Sequence, residues 1–278
     1  MQRRGESKDL QNQERTVPRR AEIISPEDYD AVIFELDGVI TNTTELHFEA
    51  WKRTFDNLLR AREGRGFIPF DLQEFREHVD GKPRLEAIQD FLASRNITLP
   101  RGEPLPEADQ ALTDATDSIF GLETMKQAYF DQLLESGRLQ VDDEAIDVIH
   151  KLIRADIAVG VVSPSDRTRR VLSILDITGH FDTIVDAQTY RDDGLDGKPS
   201  DDGFSQAAAR LETSRDRTVI IENDRPAIEA GRGAGFGLIV VLSEDREEHK
   251  KFLRRGADLT VQTLATIKVR HNGSEIRS

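Results

Sequence analysis

The chain has 278 residues, 37% of them hydrophobic and 32% charged, with a formal net charge of −14 and no cysteine. Such a length suits one large α/β domain or a core with a smaller second domain, and the acidic balance argues against a general nucleic-acid footprint or adhesion to an anionic membrane. Without cysteine there are no disulfides, thiolate metal sites or cysteine nucleophiles, which fits a cytoplasmic protein, and no run approaches the ~18 apolar residues of a membrane span.

In chain order, the opening MQRRGESKDLQNQERTVPRR lacks the apolar stretch of a secretory signal, and residues 1–24 are expected to form a disordered polar tail. The sequons at Asn42, Asn96 and Asn272 then read as chance matches. Ala31–Leu36 is the first predicted strand. From about Thr44 to Gly137 no strand is predicted; the periodicity instead suggests amphipathic helices over 44–62, 72–79, 84–95, 107–118 and 121–136, with the proline-rich NITLPRGEPLP as a loop. Beyond that insert, helices over 143–155, 165–176, 201–213, 225–235 and 245–255 alternate with strands at Ile157–Val162, Thr183–Asp186, Thr218–Ile221, Leu238–Leu242 and Asp258–Val261. Several of these strands are apolar nearly throughout, as strands covered on both faces must be, and the alternation predicts a parallel sheet with crossover helices.

Ligands of open parallel sheets collect at the carboxyl ends of the strands. The first strand delivers Glu35 and Asp37 there, the second Ser163, the third is followed by Lys198, and the fourth delivers Glu222, Asn223 and Asp224. Residues i and i+2 of an extended chain share a face, so Glu35 and Asp37 can point into one site. Clustered carboxylates call for a cation, and an oxygen-rich set suits Mg²⁺. A lysine and a hydroxyl would neutralise phosphoryl oxygens, one carboxylate can act as nucleophile and another as general acid/base. Taken singly, the acids are also turn or N-cap residues, Ser163 a helix cap, Lys198 a solvated loop lysine and Glu222–Asp224 a polar loop; it is their order along one rim that points to phosphoryl transfer.

FELDGVITNTTELHFEAW, VVSPSDRTRRVL, GKPSDDGFSQAAARL and VIIENDRPAIEAGRGAGFGLIVVL, with HVDGKPRLEAIQDFLASRNITLP in the insert, resemble the haloacid dehalogenase-like phosphotransferases, in particular the β-phosphoglucomutase-like branch. The resemblance runs from about Asp30 to Val261. It implies an α/β fold with a Rossmann-like parallel-sheet core over 25–42 and 138–268, an inserted α-helical cap over 43–137, and a tail over 269–278. It also implies Glu35 at the nucleophile position, Asp37 as general acid/base, and Ser163 and Lys198 at the phosphate and charge-balancing positions. Glu222 and Asn223 fall at metal positions, beside Asp224. His47 and Arg84 match cap-side residues that position the nucleophile region and a substrate phosphate; each also reads as an ordinary helix residue.

Two departures stand out. The family nucleophile is aspartate, here Glu35, and the usual metal-binding aspartate is here Asn223. Glutamate carries its charge one methylene further, about 1.5 Å, where a misplacement near 1 Å costs about a hundredfold in rate. Asn223 offers an oxygen but no charge, and Asp224 either turns inward to compensate, faces solvent or caps the helix after it. The expected Mg²⁺ site, built from Glu35, Asp37, Glu222, Asn223 and Asp224, is therefore weakened. Two readings follow: a Mg²⁺-dependent phosphatase or phosphomutase acting on a small phosphorylated metabolite such as a hexose phosphate, or a catalytically inactive homologue that binds a phosphorylated ligand or a protein partner. A phosphoaccepting receiver shares the acid, hydroxyl and lysine but not the helical insert. Gly231–Gly237 fails the GxGxxG spacing at Phe236 and precedes a strand instead of following one, and Gly194–Lys198 fails the P-loop spacing at Asp192.

Overall fold

The apolar runs form the strands that are covered on both faces. In the computed structural model, which describes residues 23–80, 82–104 and 116–270, a two-residue β1 (Ile23–Ile24) precedes β2 (Ala31–Phe34), whose four side chains are all buried. Among the described residues, α1 (Thr43–Glu63), α2 (Leu72–Glu74), α3 (Arg84–Ser94) and α4 (Ile119–Glu135) then follow without a strand. The second half runs α5 (Asp143–Arg154), β3 (Ala158–Val162), α6 (Thr168–Ile174), β4 (Thr183–Val185), α7 (Ala187–Asp193), α8 (Asp202–Arg210), β5 (Thr218–Glu222), α9 (Arg225–Ala234), β6 (Leu238–Leu242), α10 (Arg246–Arg255), β7 (Leu259–Val261) and β8 (Lys268–Val269).

The main sheet has the order β4-β3-β2-β5-β6-β7, and every neighbouring pair is parallel. The chain moves outward from β2 through β3 to β4, then returns to β5 on the other side of β2. That reversal makes a crevice at the carboxyl ends of the central strands. Register sets what reaches it: Phe34 pairs with Val161 on one side and Ile221 on the other, so Glu35, Ser163 and Glu222 leave the sheet close to one level.

The insert has its own core. Phe55, Phe70 and Phe91 are fully buried, with Phe55 and Phe91 stacked at 3.9 Å between ring centroids and Phe70 edge-on to Phe91 at 5.1 Å. Burial of each such ring stabilises the fold by roughly 1.5–3 kcal/mol. Helix α1 spans both cores: Leu46 and Ala50 pack with the sheet cluster, Trp51, Phe55, Leu58 and Leu59 with the insert cluster. Two stems join the parts. The Asn42 N–H donates to Gln140 O (3.1 Å), the Gln140 N–H donates to the Asn42 side-chain oxygen (2.8 Å), and Asp142 N–H donates to Ile40 O (2.8 Å).

Several expectations shift. Ile23, Ile24 and Val269, assigned to polar tails, pair instead as a parallel two-stranded sheet, and Ile24 is fully buried. Two-residue strands carry no periodicity that would reveal them. The helix at 72–79 starts at a capping box of Asp71 and Glu74, then widens to a π-helix over Phe75–Val79. Asp186, expected to end a strand, caps α7 through Thr189 N, and Gly194 in the left-handed region ends that helix. The helix expected at 107–118 falls largely outside the described residues. The glycine-rich stretch is a helix end and a packing seam: a Cβ on Gly237 would lie 2.1 Å from Asp216 O. Among the described residues no helix is long and apolar enough to cross a membrane.

Candidate functional site

A cavity of about 440 Å³ lies between the strand ends and the insert. Its floor holds Glu35, Asp37, Lys198, Asn223 and Asp224; its roof holds His47, Trp51, Arg84, Lys126 and Gln127. Seven of the nine residues singled out from the sequence therefore line one space. Glu222 is fully buried directly under Lys198. Ser163 is also fully buried and is not part of the wall, which is formed there by Pro164 to Arg167.

Lys198 organises the floor. Its Nζ donates to Glu222 Oε1 at 2.5 Å, Glu35 Oε2 at 2.8 Å and Asp224 Oδ2 at 3.2 Å. Burial opposes the ammonium, but the three carboxylates outweigh it and hold the Lys198 pKa well above its ordinary value. Burial acts on Glu222 as well, raising its pKa against the pull of Lys198. The longer side chain at position 35 bends back on its own backbone, where Oε1 accepts the Leu36 N–H at 2.9 Å. Asp37 accepts from the Thr43 hydroxyl at 2.5 Å. Burial first, then the Glu35 charge, push the Asp37 pKa up to about 6.

Asp224 does two of the things expected of it. Oδ1 caps α9 by accepting Ala227 N–H at 2.8 Å, and Oδ2 turns inward to Lys198. Asn223 turns its nitrogen, not its oxygen, inward: Nδ2 donates to the Asp37 carbonyl at 2.9 Å. Gly38 makes room for it. Its φ is +75°, and a Cβ there would stand 2.6 Å from Asn223 Nδ2. The set expected to hold Mg²⁺ thus presents an ammonium and an amide N–H to the place a cation would occupy, and does not fit one as arranged. Among the described residues no group of three or more histidine, aspartate or glutamate side chains is disposed to hold a metal ion. Ser163 Oγ is buried with no hydrogen-bond partner, a donor placed where an acceptor oxygen would satisfy it.

The roof contains a residue that sequence reasoning missed. Lys126 on α4 is 2% exposed. Its Nζ lies 2.7 Å from His47 Nδ1, and 4.7 and 5.4 Å from the ring centroids of Phe130 and Trp51. Burial first, then the Arg84 charge, push its pKa down to about 7. The signal was a lone lysine within the apolar positions of the helix at 121–136. His47 stacks on Phe130 at 4.0 Å, and burial, Lys126 and Arg84 hold its pKa well below the ordinary histidine value, leaving a neutral ring. Arg84 opens α3 and donates to Gln127 Oε1 at 2.5 Å, with Glu123 and Asp166 at 3.6 and 3.8 Å. Gln127 Nε2 is buried without a hydrogen-bond partner. Arg167 on the floor's edge grips Asp131 of α4 with two hydrogen bonds of 2.7 and 2.9 Å, tying roof to floor.

Comparison with known proteins gives the family and the fold. Residues 29–235 match the family of haloacid dehalogenase-like hydrolases. A β-phosphoglucomutase of Mycobacterium bovis is 34% identical over 248 residues, covering 87% of this chain and 92% of that protein. One from Bacillus subtilis is 29% identical over 238 residues, covering 84% and 93%. The crystal structure of a β-phosphoglucomutase from Clostridium difficile matches in fold with a TM-score of 0.63 at 24% identity, over 86% of this chain and 93% of that one.

Proposed function

The chain belongs to the haloacid dehalogenase-like hydrolases, on their β-phosphoglucomutase-like branch, and from that membership we propose that it holds a small phosphorylated carbohydrate in the cavity, with phosphoryl transfer strongly attenuated. In this reading the phosphoryl group sits on the floor, beside Lys198 and the wall formed by Pro164 to Arg167. Asp37, with a pKa near 6, is suited to move a proton at the transferring oxygen close to neutral pH. The insert acts as a cap, presenting Arg84, Lys126 and the Gln127 amide to the carbohydrate end. The relatives named above support the carbohydrate phosphate.

The observation that carries the attenuation is Glu35. Attack needs a free carboxylate oxygen about 3–3.5 Å from phosphorus and in line with the leaving group. Both Glu35 oxygens are taken, one by its neighbour's backbone N–H and one by Lys198. The double variant Glu35→Asp, Asn223→Asp is expected to release phosphate from hexose phosphates in Mg²⁺ about a hundredfold faster than the wild type. Wild-type turnover equal to that of the double variant would remove the attenuation. Calorimetry tests the ligand: a folded protein that binds no hexose phosphate in the panel would remove that half.

A further inference from the structure

We infer that Lys198 and Asn223 stand where a divalent cation would: the acid cluster is closed on an ammonium, and the chain as it stands takes up no Mg²⁺ there. This rests on reading the cavity as the phosphoryl site. Haloacid dehalogenase-like proteins generally use Mg²⁺, which demands near-octahedral oxygen donors at about 2.0–2.1 Å.

The carboxylate oxygens of Glu35, Glu222 and Asp224 are already committed. One each from Glu35, Glu222 and Asp224 converges on Lys198 Nζ at 2.8, 2.5 and 3.2 Å, matching the three N–H groups of an ammonium. A cation entering that triangle would meet Nζ first. The second oxygen of each acid is held as well: Glu35 Oε1 by Leu36 N–H, Glu222 Oε2 by Asn223 N–H at 3.1 Å, and Asp224 Oδ1 by Ala227 N–H.

The Asp37 carbonyl, a hard donor between β2 and β5, accepts from Asn223 Nδ2. Turning that amide over would set two oxygens face to face, so the network assigns the nitrogen inward. Close packing against Gly38 fixes the amide plane. Aspartate at 223 would have nearly the same shape with the opposite demand. It would place an oxygen against the Asp37 carbonyl, an arrangement that a cation between them relieves. One atom at position 223 therefore decides whether the Asp37 carbonyl is turned to a cation or to an amide N–H.

The test titrates MgCl₂ alone, with no sugar phosphate present, into wild type and Asn223→Asp and follows the heat. The wild type is expected to show no saturable uptake at the cluster, and Asn223→Asp to gain about tenfold or more in affinity. Wild-type one-site uptake that Glu222→Gln abolishes would overturn the inference, as would an Asn223→Asp variant that gains nothing. Thermal melts of Lys198→Met give a second readout. This variant should melt lower than the wild type in EDTA and recover in Mg²⁺, while the wild-type melting temperature ignores Mg²⁺. A wild-type melting temperature that climbs with Mg²⁺ and stops climbing in Glu222→Gln would also overturn it. Because no phosphorylated ligand enters either measurement, failure of sugar phosphates to bind would sink the ligand reading and leave these results standing.

Discussion

Two lysines are buried on opposite walls of one cavity, and their surroundings push them in opposite directions. Lys198 on the floor is clasped by three carboxylates and is held charged well above its ordinary pKa. Lys126 on the roof lies against two aromatic rings and a neutral histidine, near Arg84, and falls to about 7. Burial disfavours the ammonium in both places; what differs is the charge of the neighbours. The floor is a fixed ionic knot, and the roof carries an amine poised between its two states at neutral pH.

The comparison is broken hardest at the floor. Lys198→Met strands buried carboxylates and is expected to cost about 3–5 kcal/mol of unfolding free energy in denaturant melts. A loss under about 1 kcal/mol would mean that the acids shed their charge once the ammonium is gone. The roof makes a smaller, pH-dependent effect. Lys126 has a folded pKa of about 7 against an ordinary 10.5, so between those limits the unfolded chain binds more protons than the folded one. Its contribution therefore makes stability rise with pH in that window, by up to about 1.4 kcal/mol per unit. The wild-type profile minus that of Lys126→Met should retain this slope; a flat difference would show an ordinary amine at 126. The smallest effect is expected of Arg84→Met. Removing that like charge should move the onset of the same slope to higher pH, and an onset that stays put would take Arg84 out of the account.

The sheet was legible because strands buried on both faces must be apolar end to end, and Val159, Val161 and Val162 or Ile239, Val240 and Val241 leave no other reading. The floor was legible for a related reason: Glu35, Ser163 and Glu222 interrupt or end such runs, and parallel topology brings run ends together. What resisted was set by tertiary context. Whether Asn223 turns its oxygen or its nitrogen inward depends on the Asp37 carbonyl and on Gly38, far away in sequence. Lys126 is a polar letter in a helix and shows its burial only when α1 supplies His47 and Trp51 above it. Ser165, Asp166 and Arg167 line the cavity, yet in the sequence they read as the opening of the helix expected over 165–176, whereas α6 starts only at Thr168. The short β1 and β8 carry too few residues to show any alternation.

Trp51 is the single tryptophan of the chain. It lies on the cavity wall with the Lys126 nitrogen 5.4 Å from its ring centroid. The emission maximum of an indole responds to charge above its face and to the water around it. Intrinsic fluorescence thus gives an optical readout of the cavity without any added label: excitation of one chromophore reports both the arrival of a ligand and the departure of a proton from the neighbouring amine.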